Sequence, residues 1–291
     1  MEVFRFADIN IGLSYEVDIF SRDYRSEMFK LNNVDESEID VVFHMNVLET
    51  DEFANAKCLR RTGAYELLET QHGLFLLNHW GNIRFGYGVW MADLYKGNTI
   101  QIYVNEGMVN QIPINIVRFM GTIGLHSVLL MKKLPVLHAS YVEYNKRAVL
   151  FSAPSGTGKS TQAELWKEIA GAEIINGDRV LLREKNGIWN AYGYPCCGSS
   201  DICVNKTLPV AAIVILQKGT ENVIEELTTG QKVRMLVSAM ELYLWENKEM
   251  EQAFIISEEL IAKVPMIKLV CRPDSEAVQE LKQFLEDKGY V

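Results

Sequence analysis

Hydrophobic and polar positions change rhythm partway along the chain. Before about residue 110, short apolar runs recur at 40–45 (DVVFHM), 73–80 (GLFLLNHW), 83–95 (IRFGYGVWMADLY) and 99–105 (TIQIYVN), separated by polar and glycine-containing turns. That pattern predicts strands of an antiparallel sheet module. Its aromatics Trp80, Phe85, Tyr87 and Trp90 fit core and cross-strand positions better than a stacking platform. From Pro113 to Lys133 the apolar positions recur at helical spacing. A proline at the start and two lysines at the end suit one helix.

After Pro135 the rhythm mixes. Residues 136–144 read as a strand, 145–147 as a turn, 148–151 as a second strand and 160–170 as a helix. Further strands are predicted on either side of a turn at 185–187. A continuous apolar run at 210–219 reads as a buried strand. The tail reads as strand, turn and amphipathic helix. Strands interleaved with helices predict an α/β core from about residue 130 onward. The expected organisation is a smaller α+β module at 1–110 and a larger domain at 111–291.

Charge narrows the partners. The net charge is −9, and Arg60-Arg61 and Lys132-Lys133 are isolated basic pairs, so neither nucleic acid nor an anionic membrane is an expected partner. The longest apolar stretch, 112–137, is interrupted by Asn115, Arg118, His126, Lys132 and Lys133, which fits a buried helix and not a membrane span. The acidic N-terminal stretch has no signal-like apolar core, so a cytoplasmic location is expected. The five cysteines follow no framework spacing and include no CxxC pair. Free thiols in a reducing compartment are therefore expected, ahead of a zinc site.

The candidate chemistry lies in FSAPSGTGKST, Phe151 to Thr161. A strand running into a glycine-rich turn and then a helix gathers backbone N–H groups at one point, where they suit an anion. Gly156 and Gly158 let the backbone curl close to a phosphate, with Ser155, Thr157 and Thr161 beside them. Lys159 supplies a cation for the β- and γ-phosphates, and Ser160 a hydroxyl for magnesium. Ala153 stands where such loops usually begin with glycine, a position a small residue can fill. Asn205-Lys206 lacks the following aspartate that would read guanine, and no apolar strand ends in Asp-Glu. A phosphotransfer enzyme is favoured over a motor or transport ATPase.

Three pieces together carry a family resemblance: HAS at His138–Ser140, APSGTGKS at Ala153–Ser160 and GDR at Gly177–Arg179. Over roughly residues 130–280 the chain resembles the catalytic domain of HPr kinase/phosphorylase and its relatives, the HPr-kinase-like proteins of the phosphoenolpyruvate-carboxykinase type of P-loop fold. The resemblance implies a P-loop core of mixed sheet with flanking helices. It implies an ATP- and Mg2+-dependent kinase that passes the γ-phosphate to a serine-type hydroxyl on a peptide, protein or small molecule. In that reading Lys159 and Ser160 serve the phosphates and the metal. Asp178 either receives the hydroxyl proton or holds the metal, His138 contacts phosphate or tunes Asp178, and Arg179 stabilises transferred charge. Relatives assemble into symmetric oligomers, which makes a homo-oligomer compatible with the resemblance.

Two departures mark a divergent member. The family carries two adjacent aspartates, and Gly177 stands in the place of the first. The EIRG signature is absent, and GYPCCGSSDICVN occupies that region. Glu143 or Asp201 are candidates to replace the lost carboxylate. The GYPCCGSS segment either lines an acceptor site or merely connects strands. Plainer readings stand beside these: Asp178 as a turn residue, His138 as a core histidine, Arg179 as an ion-pair partner, Trp166 and Trp189 as packing residues. Two other functions share the pattern, a nucleotide-binding sensor without turnover and a carboxykinase-like metabolite enzyme.

Overall fold

A computed structural model describes residues 1–48, 53, 56–61, 65–80, 83–109, 113–243 and 247–291, with the side chains at 80, 83–85, 96 and 108–109 outside that description. The expected core roles of Trp80 and Phe85 therefore lie outside the described side chains. The architecture is mixed α/β and divides into two compact units, Met1–Val128 and Leu129–Val291.

The first unit is built on a nine-stranded sheet. Its centre differs from the antiparallel expectation. Val41–Leu48 runs parallel to Ile9–Ser14 on one side and to Thr99–Asn105 on the other, while the remaining pairs are antiparallel. Parallel neighbours need long crossovers, and residues 15–40 supply one, carrying the short helix Tyr24–Phe29. The strand expected at 83–95 stops at Trp90, and Met91–Lys96 turns helical, with Met91 and Leu94 buried one turn apart. The hairpin Glu2–Phe6/Ile9–Ser14 was not apparent from the sequence because Ala7 and Asp8 make its turn at φ 49° and 69°. Asn-Gly or Asp-Gly would have announced such a turn. Tyr87 is buried as expected, and Trp90 packs edge-on against Phe75.

The single helix expected from Pro113 to Lys133 is two short ones, Ile116–Thr122 and Leu125–Met131. Gly124 at φ 88° interrupts them, and Asn115 caps the first by accepting from the Val117 and Arg118 amides. Among the described residues, no helix is long and apolar enough to cross a membrane.

The second unit rests on two long strands that change partners along their length. Val136–Tyr144 pairs with Arg179–Lys185 through residues 136–138 and with Arg147–Ser152 through residues 139–144. Thr207–Lys218 pairs with Ile188–Tyr192 at its start, then runs parallel to Arg147–Ser152 and to Met266–Cys271. Alternate residues face two cores, as a two-residue period requires. Leu137, Ala139, Tyr141, Leu150, Ile213 and Ile215 pack with the helices Thr229–Ala239 and Asn247–Ile261. Val142, Val149, Phe151 and Val214 pack on the opposite side with the helices Lys159–Ala170 and Ser275–Asp287. Trp166 and Trp189 are buried in these cores, Trp166 with its ring 5.6 Å from that of Phe151. No disulfide joins any of the five cysteines.

Candidate functional site

The strand Arg147–Ser152 lies between two neighbours and releases the chain at Ala153 into the glycine-rich loop. Gly156 sits at φ 75° and Gly158 at φ 119°, left-handed backbone that side chains resist. Gly158 opens the helix Lys159–Ala170 with no capping side chain, so the first-turn N–H groups face outward without a side-chain acceptor. Ser160 and Thr161 are exposed on that turn, as is Ser155 on the loop. Lys159 turns inward instead. Its ammonium donates to the Ala153 carbonyl at 3.0 Å, and the residue is only 7% exposed. The small residue at 153 thus presents its carbonyl to the lysine of the same loop.

The second half of the site is the turn Asn176–Arg179. The Asn176 side chain accepts from the Asp178 and Arg179 amides, both at 2.9 Å, and donates to the Tyr194 and Cys196 carbonyls. This Asx-type turn explains why Asn-Gly-Asp serves here. Ser140 donates to the Gly177 carbonyl at 2.8 Å and ties the turn to the strand Val136–Tyr144. His138 pairs with Arg179 in register across the strands.

His138, Asp178 and Arg179 are brought together by this arrangement. His138 Nε2 lies 2.9 Å from Asp178 Oδ1, and Arg179 donates to Asp178 Oδ2 at 2.7 Å. Arg179 Nε also reaches Glu241 Oε1 at 2.9 Å. Glu241 has no motif to reveal it. It arrives because its backbone N–H bonds the Val136 carbonyl just after the helix Thr229–Ala239.

The electrostatics follow from these contacts. The His138 hydrogen bond, then the charges of Arg179, His138 and Lys159, hold the Asp178 carboxyl below its ordinary value against the opposing effect of burial. Burial pushes the Lys159 ammonium down, countered by Asp178 and reinforced by Arg179. Burial also works against the Arg179 guanidinium, but Glu241 and Asp178 outweigh it and raise that group.

Of the two expected substitutes for a second carboxylate, Glu143 lies elsewhere and Asp201 is the chain neighbour of Ser200. Glu143 is five residues up the strand from His138, about 16 Å at ~3.3 Å per residue, and is bound to Lys206. Asp201 is exposed, at φ 55°, beyond the short turn Gly198–Ser200. That turn explains Gly177. A Cβ at 177 would overlap the Ser200 Oγ and Cβ, and the Ser200 hydroxyl donates to the Cys197 carbonyl at 2.7 Å. The GYPCCGSS segment thus fills the space that a side chain at 177 would need. Gly177→Asp is expected to cost about 3 kcal/mol by overpacking, lowering Tm by roughly 6–12 °C for a unit of this size. Adding Ser200→Gly should recover most of that loss in a thermal melt.

A metal would find hard oxygen donors of the kind magnesium prefers. The Ser160 hydroxyl is exposed, and Asp178 offers a carboxylate, though each of its oxygens already accepts one hydrogen bond. Among the described residues, no group of three or more His, Cys, Asp or Glu side chains gathers to hold a metal by itself.

Two cavities flank the loop. One of about 620 Å³ opens on the side of His138, Ala153 and Pro154. The other, of about 390 Å³, opens on the side of Gly158, Thr161 and Gln162. Thr157 and the strand end Leu216–Lys218 border both.

The chain belongs to the family described as "SynChlorMet cassette protein ScmC", whose model matches residues 114–271. No curated protein matches it. Among solved structures it is similar to the Hpr(Ser) kinase/phosphatase from Coxiella burnetii, at 15% identity and a TM-score of 0.29. That match covers 53% of this chain and 94% of the other.

Proposed function

We propose that the second unit is a P-loop kinase of the HPr-kinase-like type, which uses ATP and magnesium to phosphorylate a hydroxyl. The observation that carries this reading is the meeting of Lys159 with the His138–Asp178–Arg179 cluster at the mouth of the glycine-rich loop. The loop amides and the first turn of its helix would hold the phosphates of a nucleotide. Lys159 would leave the Ala153 carbonyl for the β- and γ-phosphates, exchanging a neutral acceptor for an anionic one. Magnesium, held by the Ser160 hydroxyl, would neutralise charge on those same phosphates and leave Asp178 for the acceptor's proton.

The acceptor would enter from the His138 side. Its hydroxyl oxygen forms the new bond to the γ-phosphorus as the bond to the ADP oxygen breaks, and the hydroxyl proton passes to Asp178. The carboxyl's lowered pKa keeps it ionised at neutral pH, so it orients that hydrogen and, as a weak base, takes the proton late, as the bond to phosphorus forms. Arg179, anchored by Glu241, keeps Asp178 in place.

A second reading is a nucleotide-binding sensor without turnover. It is favoured by Ser200 filling the space beside Gly177 and by the two partners, His138 and Arg179, already on Asp178. The purified chain, given γ-labelled ATP, magnesium and serine-containing peptides, distinguishes the two. Label on peptide supports the kinase. Saturable nucleotide binding without labelled product supports the sensor. Absence of nucleotide binding removes both.

A further inference from the structure

The cavity on the His138 side carries a charge pattern that nucleotide binding leaves unused. The chain as a whole is acidic, at −9. Yet Lys218, Arg234 and Lys268 line this cavity, and none of its described lining residues is a carboxylate. Lys268 is neutralised by Glu225 at 2.8 Å. Lys218 and Arg234 are exposed, and neither has an ion-pair partner among the described residues. Two unpaired cations in a concave site focus an anion-attracting field. Between them the wall is apolar, formed by Ile215, Leu216, Met235 and Ala239.

The nucleotide leaves Arg234 without a role, while Lys218 stands at the border of both cavities. The nucleotide's phosphates would be served by the loop amides and Lys159, and the cavity beside Thr161 and Gln162 lies on the opposite side of Thr157. Arg234 borders the His138 cavity and not the other one. We infer that this cavity binds the acceptor, and that the acceptor is an acidic peptide segment. Its hydroxyl would point at His138 and Asp178, an apolar side chain would lie on Ile215 and Met235, and a flanking carboxylate would meet Arg234 and Lys218. The inference rests on the kinase reading and specifies its substrate class. A volume of about 620 Å³ sits within the range of sites for ligands well above the size of a small hydroxy acid, and a peptide segment uses it.

The test is binding of three fluorescein-labelled peptides, Glu-Glu-Ser-Leu-Glu-Glu and its all-Gln and all-Lys counterparts, to the full chain with an ATP analogue and magnesium. The acidic peptide should bind at least tenfold more tightly than the neutral one, and the basic peptide least. Arg234→Gln should remove most of that preference, and Arg234→Glu should reverse it towards the basic peptide. Equal binding of the three, no binding, or an order untouched by Arg234→Glu overturns the inference. So does displacement of the acidic peptide by free malate at comparable concentration, which would make the ligand a small hydroxy acid. If Arg234→Gln lowers transfer to every peptide alike without changing their binding, Arg234 serves the phosphoryl group and not the acceptor. A fluorescent ATP analogue titrated in parallel separates the layers. Nucleotide bound without peptide discrimination leaves the kinase reading standing, whereas no nucleotide binding sinks both.

Discussion

Asp178→Asn should reduce phosphate transfer by a factor on the order of 10²–10⁴, the usual contribution of a positioned acid–base group. The amide keeps the shape of the side chain but cannot take a proton, and it removes the anion facing Lys159. Nucleotide affinity should change much less than transfer, because the loop and Lys159 remain. The substitution also has a folding cost. Arg179 would keep Glu241 but lose one of its two carboxylates, and His138 would lose its charged partner. An under-paired, partly buried charge costs about 1–3 kcal/mol.

The pH dependence of that cost separates it from a packing effect. The folded-state pKa of Asp178 is lowered, so the folded chain keeps the group ionised where the unfolded chain begins to protonate it. Its contribution is fully present above the unfolded value of about 3.9. It is lost as pH falls from there through the lower folded value. Melting temperatures of wild type and Asp178→Asn should therefore differ at pH 7 and converge only as the pH falls below the lowered folded-state value. A gap that persists at acid pH would assign Asp178 to packing alone.

Lys159→Met should weaken nucleotide binding by a factor on the order of 10–10², the worth of a hydrogen bond to a charged group, without destabilising the protein. The sign of the second part follows from burial. The Lys159 ammonium is depressed by desolvation, so at neutral pH the folded state carries the cost of a charged group out of water. Methionine keeps the aliphatic stem and removes that cost. The Tm should hold steady or rise, while titration with an ATP analogue shifts to correspondingly higher concentration. Unchanged nucleotide affinity in this variant would remove the kinase and sensor readings together.

The parts of the site legible in sequence are those made by local chemistry. The glycines and Lys159 stand in one continuous segment, and Asn176-Gly177-Asp178 is turn chemistry that its own side chain completes. His138 and Asp178 are 40 residues apart, yet the resemblance pointed to both, and the strand register brings them within 2.9 Å. Glu241 and Ser200 were illegible for a physical reason. Each matters through a tertiary contact, across 62 residues for Glu241 and Arg179, and no local spacing encodes such a contact. Arg234 and Lys218 belong to the same class, since a surface helix and a strand end share a cavity only after folding. In the first unit, the turn at Ala7-Asp8 escaped because its residues are poor local signals, and the helix at Met91–Lys96 because its six residues continue the apolar run of the strand before it.

The parallel pairing of Arg147–Ser152 with Thr207–Lys218 has a consequence in time. Ala148 meets Val210, and Ile213 meets Met266, so the strand that launches the loop waits on partners roughly 60 and then 50 residues later in the chain. Closing such long separations is entropically expensive and slow. During synthesis the glycine-rich loop emerges well before the sheet that aims it can assemble. A nucleotide able to recognise only the finished loop would then act late, securing an almost completed second unit and adding nothing to its earliest collapse.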